Sequence, residues 1–203
     1  MSRFLLVLLL ACQAKSAGDL RALGPSGTLD KSPPPPPTDV EAIGGNGEVT
    51  VTWSLNAASS YVVVERTPQE TEVGAVTGND LVHTGLLPGT THTYVVHGVN
   101  VFGQGDPSDE VTALTLPAAP ASLTATASAG RIDLAWAAAQ GGVAYVVFRR
   151  DPGGGSYSEV ATVGGLTYAD IGLTAATSYT YFVRAKNQTG QGDRSPFASA
   201  QVP

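Results

Sequence analysis

The chain has 203 residues and a formal net charge of −6, with 14% charged residues and 42% hydrophobic ones. That balance carries no electrostatic footprint for nucleic acid and no basic cluster for anionic lipid headgroups. With 24 glycines and 14 prolines set among β-forming runs, it points to an all-β chain cut by turns rather than to disorder.

In chain order, Phe4 to Ala11 is a short apolar run after Arg3, far below the ~20 residues that span a bilayer. A charged start, a short apolar stretch and small residues at its end describe a secretory signal. Leu9-Leu10-Ala11-Cys12 then resembles the lipobox of bacterial lipoproteins. The resemblance implies cleavage after residue 11, lipidation at Cys12, and a membrane partner reached through that lipid. Gln13 follows, where inner-membrane members of that family often carry aspartate, so an outer-membrane lipoprotein, periplasmic-facing or surface-exposed, is expected. The alternative is a secreted protein cleaved after Ala14 or Ala17. Cys12 is the single cysteine, so the folded part has no disulfide and rests on its apolar cores. Residues 12–37 read as a tether, flexible at first and closed by Pro33 to Pro37, which favour a stiff polyproline II spacer.

The remaining sequence repeats itself. Val49, Val51 and Trp53 alternate with Thr50 and Thr52, as Ile132, Leu134 and Trp136 do with Asp133 and Ala135. This is the period of a strand with one buried face. Tyr61 to Arg66 matches Tyr145 to Arg150, and Leu86-Leu87-Pro88-Gly89-Thr90 matches Leu173-Thr174-Ala175-Ala176-Thr177. Gly103-Gln104-Gly105-Asp106 returns as Gly190-Gln191-Gly192-Asp193.

A Trp closing the second strand, a Tyr opening the third, and Leu-x-Pro-Gly-Thr before a strand ending Asn-x-x-Gly-x-Gly resemble fibronectin type III domains. The resemblance implies an all-β fold of two tandem immunoglobulin-like, seven-stranded β-sandwiches, at 38–116 and 117–203. It places Trp53, Tyr61, Tyr94, Trp136, Tyr145 and Tyr179 in the cores. It also implies a tyrosine near the start of the sixth strand whose hydroxyl ties back to the preceding turn. Tyr179 matches that position, but His92 takes it in the first copy, so a weaker or rewired corner and a less stable first copy are expected.

Chemistry is sparse. His92 and His97 lie five apart on one strand and face opposite sides, and His83 has no partner at ligand spacing, so no metal is expected. Asp106, Asp109 and Glu110 lack the dense carboxylate pattern of a calcium site. No nucleophile elbow or phosphate-binding glycine loop occurs. The chain is expected to be no enzyme, with no cofactor, no small-molecule substrate and no nucleic-acid partner. Asn187-Gln188-Thr189 fits a glycosylation sequon by chance.

Two features are candidates for contact with an unknown protein or glycan partner. One is the loop pair Gln104, Gly105, Asp106 and Gln191, Gly192, Asp193. In some fibronectin type III domains the matching loop carries Arg-Gly-Asp, but glutamine replaces the arginine here and integrin recognition is not implied. The other is an apolar outward sheet face of Val62, Val64, Val95 and Val99 in the first copy, and Val146, Phe148 and Phe182 in the second. The expected function is non-catalytic: a lipid-anchored envelope or cell-surface protein that presents binding modules or acts as a spacer. The alternative is an accessory subunit of a secreted polysaccharide-degrading system. Intact mass spectrometry of the membrane fraction checks the anchor. The account expects acyl mass on a chain beginning at Cys12, absent in Cys12→Ala, whereas an unlipidated chain beginning after Ala14 or Ala17 contradicts it.

Overall fold

The structure is a computed structural model and describes residues 31–203; the signal at 1–11, the lipidation residue Cys12 and the tether as far as Asp30 lie outside the described residues. The described residues form strands and no helix. In the first repeat these are β1 (Thr38–Gly44), β2 (Glu48–Ser54), β3 (Ser60–Thr67), β4 (Thr71–Val76), β5 (Asp80–Thr84), β6 (Thr91–Asn100), β7 (Gly103–Pro107) and β8 (Val111–Leu114). In the second they are β9 (Leu123–Ser128), β10 (Arg131–Trp136), β11 (Ala144–Arg150), β12 (Ser158–Val163), β13 (Thr167–Ile171), β14 (Ser178–Lys186), β15 (Gln191–Arg194) and β16 (Ala198–Gln201).

The sheets are arranged as sandwiches with the same topology in both repeats. One sheet runs β1-β2-β5 or β13-β10-β9; the other runs β4-β3-β6-β7 with β8 on β6, or β12-β11-β14-β15 with β16 on β14. The pairings β3–β4, β6–β7, β9–β10, β10–β13, β11–β12, β11–β14, β14–β15 and β14–β16 are antiparallel. The sequence predicts seven strands per copy, and the structure divides the seventh into two segments. A serine hydroxyl makes the break: Val96 N–H donates to Ser108 Oγ at 3.0 Å, while Ser108 N–H donates to Val96 O at 2.9 Å. Ser195 repeats the exchange with Val183. The side chain thus takes a ladder position that a carbonyl would fill, and the strand restarts out of register.

Contacts group the described residues into two compact units: residues 31–41 with Thr52–Leu81 and Tyr94–Glu110, and Ala42–Val51 with Val82–Thr93 and Val111–Pro203. In the first unit Trp53 packs on Tyr61 with centroids 5.3 Å apart, and Val63, Tyr94 and Val96 are buried beside them in sequence alternation. Asn56 N–H donates to Tyr61 Oη at 2.8 Å, which satisfies the polar end of a buried ring. Pro34 and Pro37 are buried too, so the proline run docks on this unit instead of standing clear of it.

In the second unit one core gathers residues from both faces of a sandwich: Ile132, Leu134 and Trp136 from β10, Tyr145 and Val147 from β11, Tyr179, Tyr181 and Val183 from β14. Trp136 packs on Tyr145 at 5.6 Å, and Ala139 N–H donates to Tyr145 Oη at 3.0 Å, repeating the first copy. Every ring placed in the cores from sequence is buried. Trp53 Nε1 and Trp136 Nε1 are buried without a hydrogen-bond partner, so both indoles serve the fold by apolar volume alone. Replacing Trp136 by alanine is expected to lower the unfolding free energy by about 3–5 kcal/mol, read as a drop in the urea midpoint at unchanged slope.

Candidate functional site

Alternation along β11 and β14 assigns each side chain a face. Tyr145, Val147, Tyr181 and Val183 turn into the core, which sends Val146, Phe148 and Arg150, and Phe182, Arg184 and Lys186, to the outer face. The outer face is not the exposed apolar strip expected from sequence. Val146 is 1% exposed, Phe182 is 8% exposed and Phe148 is half-buried. In register, Val146 lies between Thr162 on β12 and Arg184 on β14, flanked on both sides within the sheet. In the first repeat Val95 is 1% exposed, and Val62, Val64 and Val99 are half-buried. Of the seven residues of that face, Val95, Val146 and Phe182 are buried and Val62, Val64, Val99 and Phe148 half-buried.

The second repeat presents something else on that face. Phe148 stacks on Phe182 at 4.6 Å and 15°. Tyr157, from the loop before β12, tilts against Phe182 at 4.9 Å and stacks on Phe197 at 5.4 Å. Phe197, which follows Pro196 ahead of β16, meets Phe182 edge-on at 5.9 Å and is 48% exposed. Guanidinium groups lie on three of the four rings: Arg194 over Phe197 at 4.0 Å, Arg150 over Tyr157 at 5.3 Å and Arg184 over Phe182 at 5.9 Å. Such contacts add about 0.5–1 kcal/mol each at exposed sites and fix the guanidinium planes. Sequence reading found Phe148 and Phe182 but missed Tyr157 and Phe197, which come from loops without periodicity.

Beside this face, the sixth-strand corner takes the expected form: Thr174 N–H donates to Tyr179 Oη at 3.2 Å, and Arg149 lies over the Tyr179 ring at 5.4 Å. Arg149 also bonds Asp170 on β13 at 3.0 Å and Asp151 at 2.7 Å, while Tyr181 Oη donates to Asp170 at 2.9 Å. Burial works to lower the Arg149 pKa, but its bonds to the two carboxylates outweigh that and raise it. In the first repeat the corner is rewired: His92 Nε2 meets Thr90 Oγ1 at 2.7 Å, and Thr90 Oγ1 donates to Leu87 O at 2.6 Å. A shallow groove of about 580 Å³ opens over Arg149, Thr174, Thr177 and Tyr179. Its cation is already committed to two carboxylates.

The Gln-Gly-Asp triplets are strand residues, not loop tips. Gln104, Gly105 and Asp106 fall in β7, and Gln191, Gly192 and Asp193 in β15. A side chain at Gly105 would collide with Pro34 O, and one at Gly192 with Pro117 O. Close backbone approach, not turn geometry, therefore requires glycine at both positions. Asp193 accepts from Asn46 Nδ2 at 2.7 Å, and the Gly105 and Gly192 carbonyls face His97 Nδ1 and Arg184 Nη1, each at 3.0 Å. The sequon asparagine is likewise engaged: Asn187 is buried, with its amide donating to Thr115 O at 2.8 Å and accepting from Thr189 N–H at 2.9 Å.

Of the histidines, His83 and His92 come together edge to face at 6.4 Å, a proximity that spacing along the chain did not reveal. Among the described residues no group of three or more His, Cys, Asp or Glu is placed to hold a metal.

No family model matches the chain. Exoglucanase B of Cellulomonas fimi is 28% identical over 180 residues, a match that covers 80% of this chain and 16% of the enzyme. Chitinase A1 of Niallia circulans is 31% identical over 195 residues, covering 88% of this chain and 27% of the enzyme. The chain thus spans only a minor part of the length of these relatives. Among solved structures, the FN1–FN3 domains of chicken CNTN1 align over 84% of this chain and 67% of that one, at 20% identity and a TM-score of 0.40.

The buried phenols set an alkaline limit on stability. Burial, helped by Asp170, raises the Tyr181 pKa well above the ordinary 10.0. Burial, helped by Glu65, does the same for Tyr94. Above pH 10 the unfolded chain sheds phenol protons that the fold retains, so unfolding becomes easier as pH rises. The melting temperature is expected to hold up to about pH 9 and fall above about pH 10. In thermal melts across that range, Tyr181→Phe should flatten the fall.

Proposed function

We propose that this chain is a non-catalytic, glycan-associated accessory module that works beside polysaccharide-degrading activity outside the cytoplasm. The observation that carries the reading is the nature of the shared stretch. It matches 180 residues of a protein named for glucan and 195 of one named for chitin, and it makes up 16% and 27% of those proteins. A segment common to enzymes with different polymers belongs to what they share, not to the substrate-cutting site of either. The residues here fit a scaffold of that kind. The polar groups of the second corner are committed to one another, and the buried side chains of Ser195 and Asn187 serve a strand break and a clasp.

Display at an envelope through lipidated Cys12 is part of the proposal. An anchored module would hold a polymer, or a polymer-degrading partner, near the cell surface. The test incubates the full chain with microcrystalline cellulose, with chitin and with an insoluble pectate gel, measuring protein lost from solution and sugar released into it. Depletion onto polymer without sugar release is the expected outcome. Sugar release that persists through rigorous purification would make the chain an enzyme and overturn the reading, as would an absence of binding to every polysaccharide tried.

A further inference from the structure

The outer face of the second repeat concentrates positive charge on an acidic chain. Arg150, Arg184, Lys186 and Arg194 stand along β11, β14 and β15, with Glu159 on the neighbouring β12 and Asp193, bonded to Asn46, on β15, while the whole chain carries −6. Arg184 and Arg194 are direct cross-strand partners. Like charges placed opposite each other in an antiparallel pair destabilise the sheet. Here both guanidiniums are also held against rings, Arg184 on Phe182 and Arg194 on Phe197, so neither is free to swing far from the other. Each has a further bond from one nitrogen, Arg184 Nη1 to Gly192 O at 3.0 Å and Arg194 Nη1 to Ser195 O at 3.3 Å. That leaves other N–H groups of each fork uncommitted among these bonds.

The arrangement is specific to one copy. In the first repeat the positions of Arg184 and Lys186 hold His97 and Val99, and those of Tyr157 and Phe197 hold Glu70 and Glu110. There Arg66, the counterpart of Arg150, pairs with Glu70 at 3.1 Å and is neutralised. The scaffold therefore does not need the charged aromatic face, because the same fold is built without it.

We propose that the outer face of β11, β14 and β15 binds an acidic polysaccharide, whose uronate carboxylates pair with Arg184 and Arg194 beside the exposed ring of Phe197. The inference rests on the glycan-associated reading above and names its substrate class. A carboxylate bridging the two guanidiniums converts a repulsive cross-strand pair into charge-assisted hydrogen bonds. The ring edge of Phe197, 48% exposed, offers apolar surface to the C–H groups of a sugar.

Affinity electrophoresis of the full chain tests this, in native gels containing polygalacturonate, neutral hydroxyethylcellulose or polyphosphate. Polygalacturonate should retard the wild type. The effect should weaken as ionic strength rises from about 0.01 M to about 0.15 M, which shortens the Debye length from ~30 Å to ~8 Å. Arg194→Gln combined with Arg184→Gln should weaken binding about tenfold or more. Phe197→Ala, which leaves every charge in place, should weaken it less. Arg131→Gln removes one charge from a strand of the other sheet and should bind as the wild type does. Thermal midpoints keep loss of fold apart from loss of contact, and Arg194→Gln alone serves if the double variant does not fold. The inference falls if folded arginine variants bind as the wild type does, if Arg131→Gln weakens binding as much, or if polyphosphate retards the chain equally. Retention by hydroxyethylcellulose without retention by polygalacturonate sinks this inference and leaves the glycan-associated reading standing.

Discussion

The fold depends on a backbone clasp that each repeat makes once. An asparagine at the end of the long central strand donates its amide to the segment entering the repeat: Asn100 to Ser32 O at 2.9 Å, and Asn187 to Thr115 O at 2.8 Å. Two residues along that segment, the proline carbonyl lies so close to a glycine of the returning strand that no side chain fits, Pro34 against Gly105 and Pro117 against Gly192. Proline suits the clasp because its fixed φ keeps the entering segment extended and it has no N–H to satisfy. The clasp consumes the Asn-x-x-Gly-x-Gly motif, and with it the Gln-Gly-Asp triplets. What resembles a recognition loop is the fastening of the sandwich.

With the fastening shared, the repeats differ where the fold permits it. The second corner joins Arg149, Asp170, Tyr179 and Tyr181 into one bonded group. The corresponding positions of the first repeat are Glu65, His83, His92 and Tyr94. A partly buried pair of this kind contributes less through net attraction than through the penalty of leaving one partner alone. Such networks therefore hold a defined geometry more than they add stability. The outer faces diverge in the same way: aliphatic and partly neutralised in the first repeat, aromatic and cationic in the second.

The repeat, the sheet periodicity and the core rings were legible in the sequence because burial imposes period-two patterns that Trp53, Tyr61, Trp136 and Tyr145 obey. The rewired corner at His92 was legible as a departure from the copy beside it. Three features were not. Ser108 and Ser195 break their strands through a hydroxyl that replaces a carbonyl in the ladder, and nothing in the spacing separates that from an exposed serine. The glycines of the triplets answer to a proline carbonyl about seventy residues earlier in the chain, a distance no local window spans. The aromatic face needs the register of β11 on β14 and two loop residues, Tyr157 and Phe197, whose positions only tertiary structure determines.

The account thus assigns the clasp and cores to both repeats, and contact with polymer to the outer face of the second. Amide chemical shifts recorded while an oligogalacturonide is added to the isotope-labelled chain test that division most directly. The account predicts perturbations centred on Arg150, Arg184, Arg194 and Phe197, with Gln104, Gly105 and Asp106 of the first repeat unmoved. Perturbations centred on those three first-repeat residues, or none at saturating sugar, would contradict it.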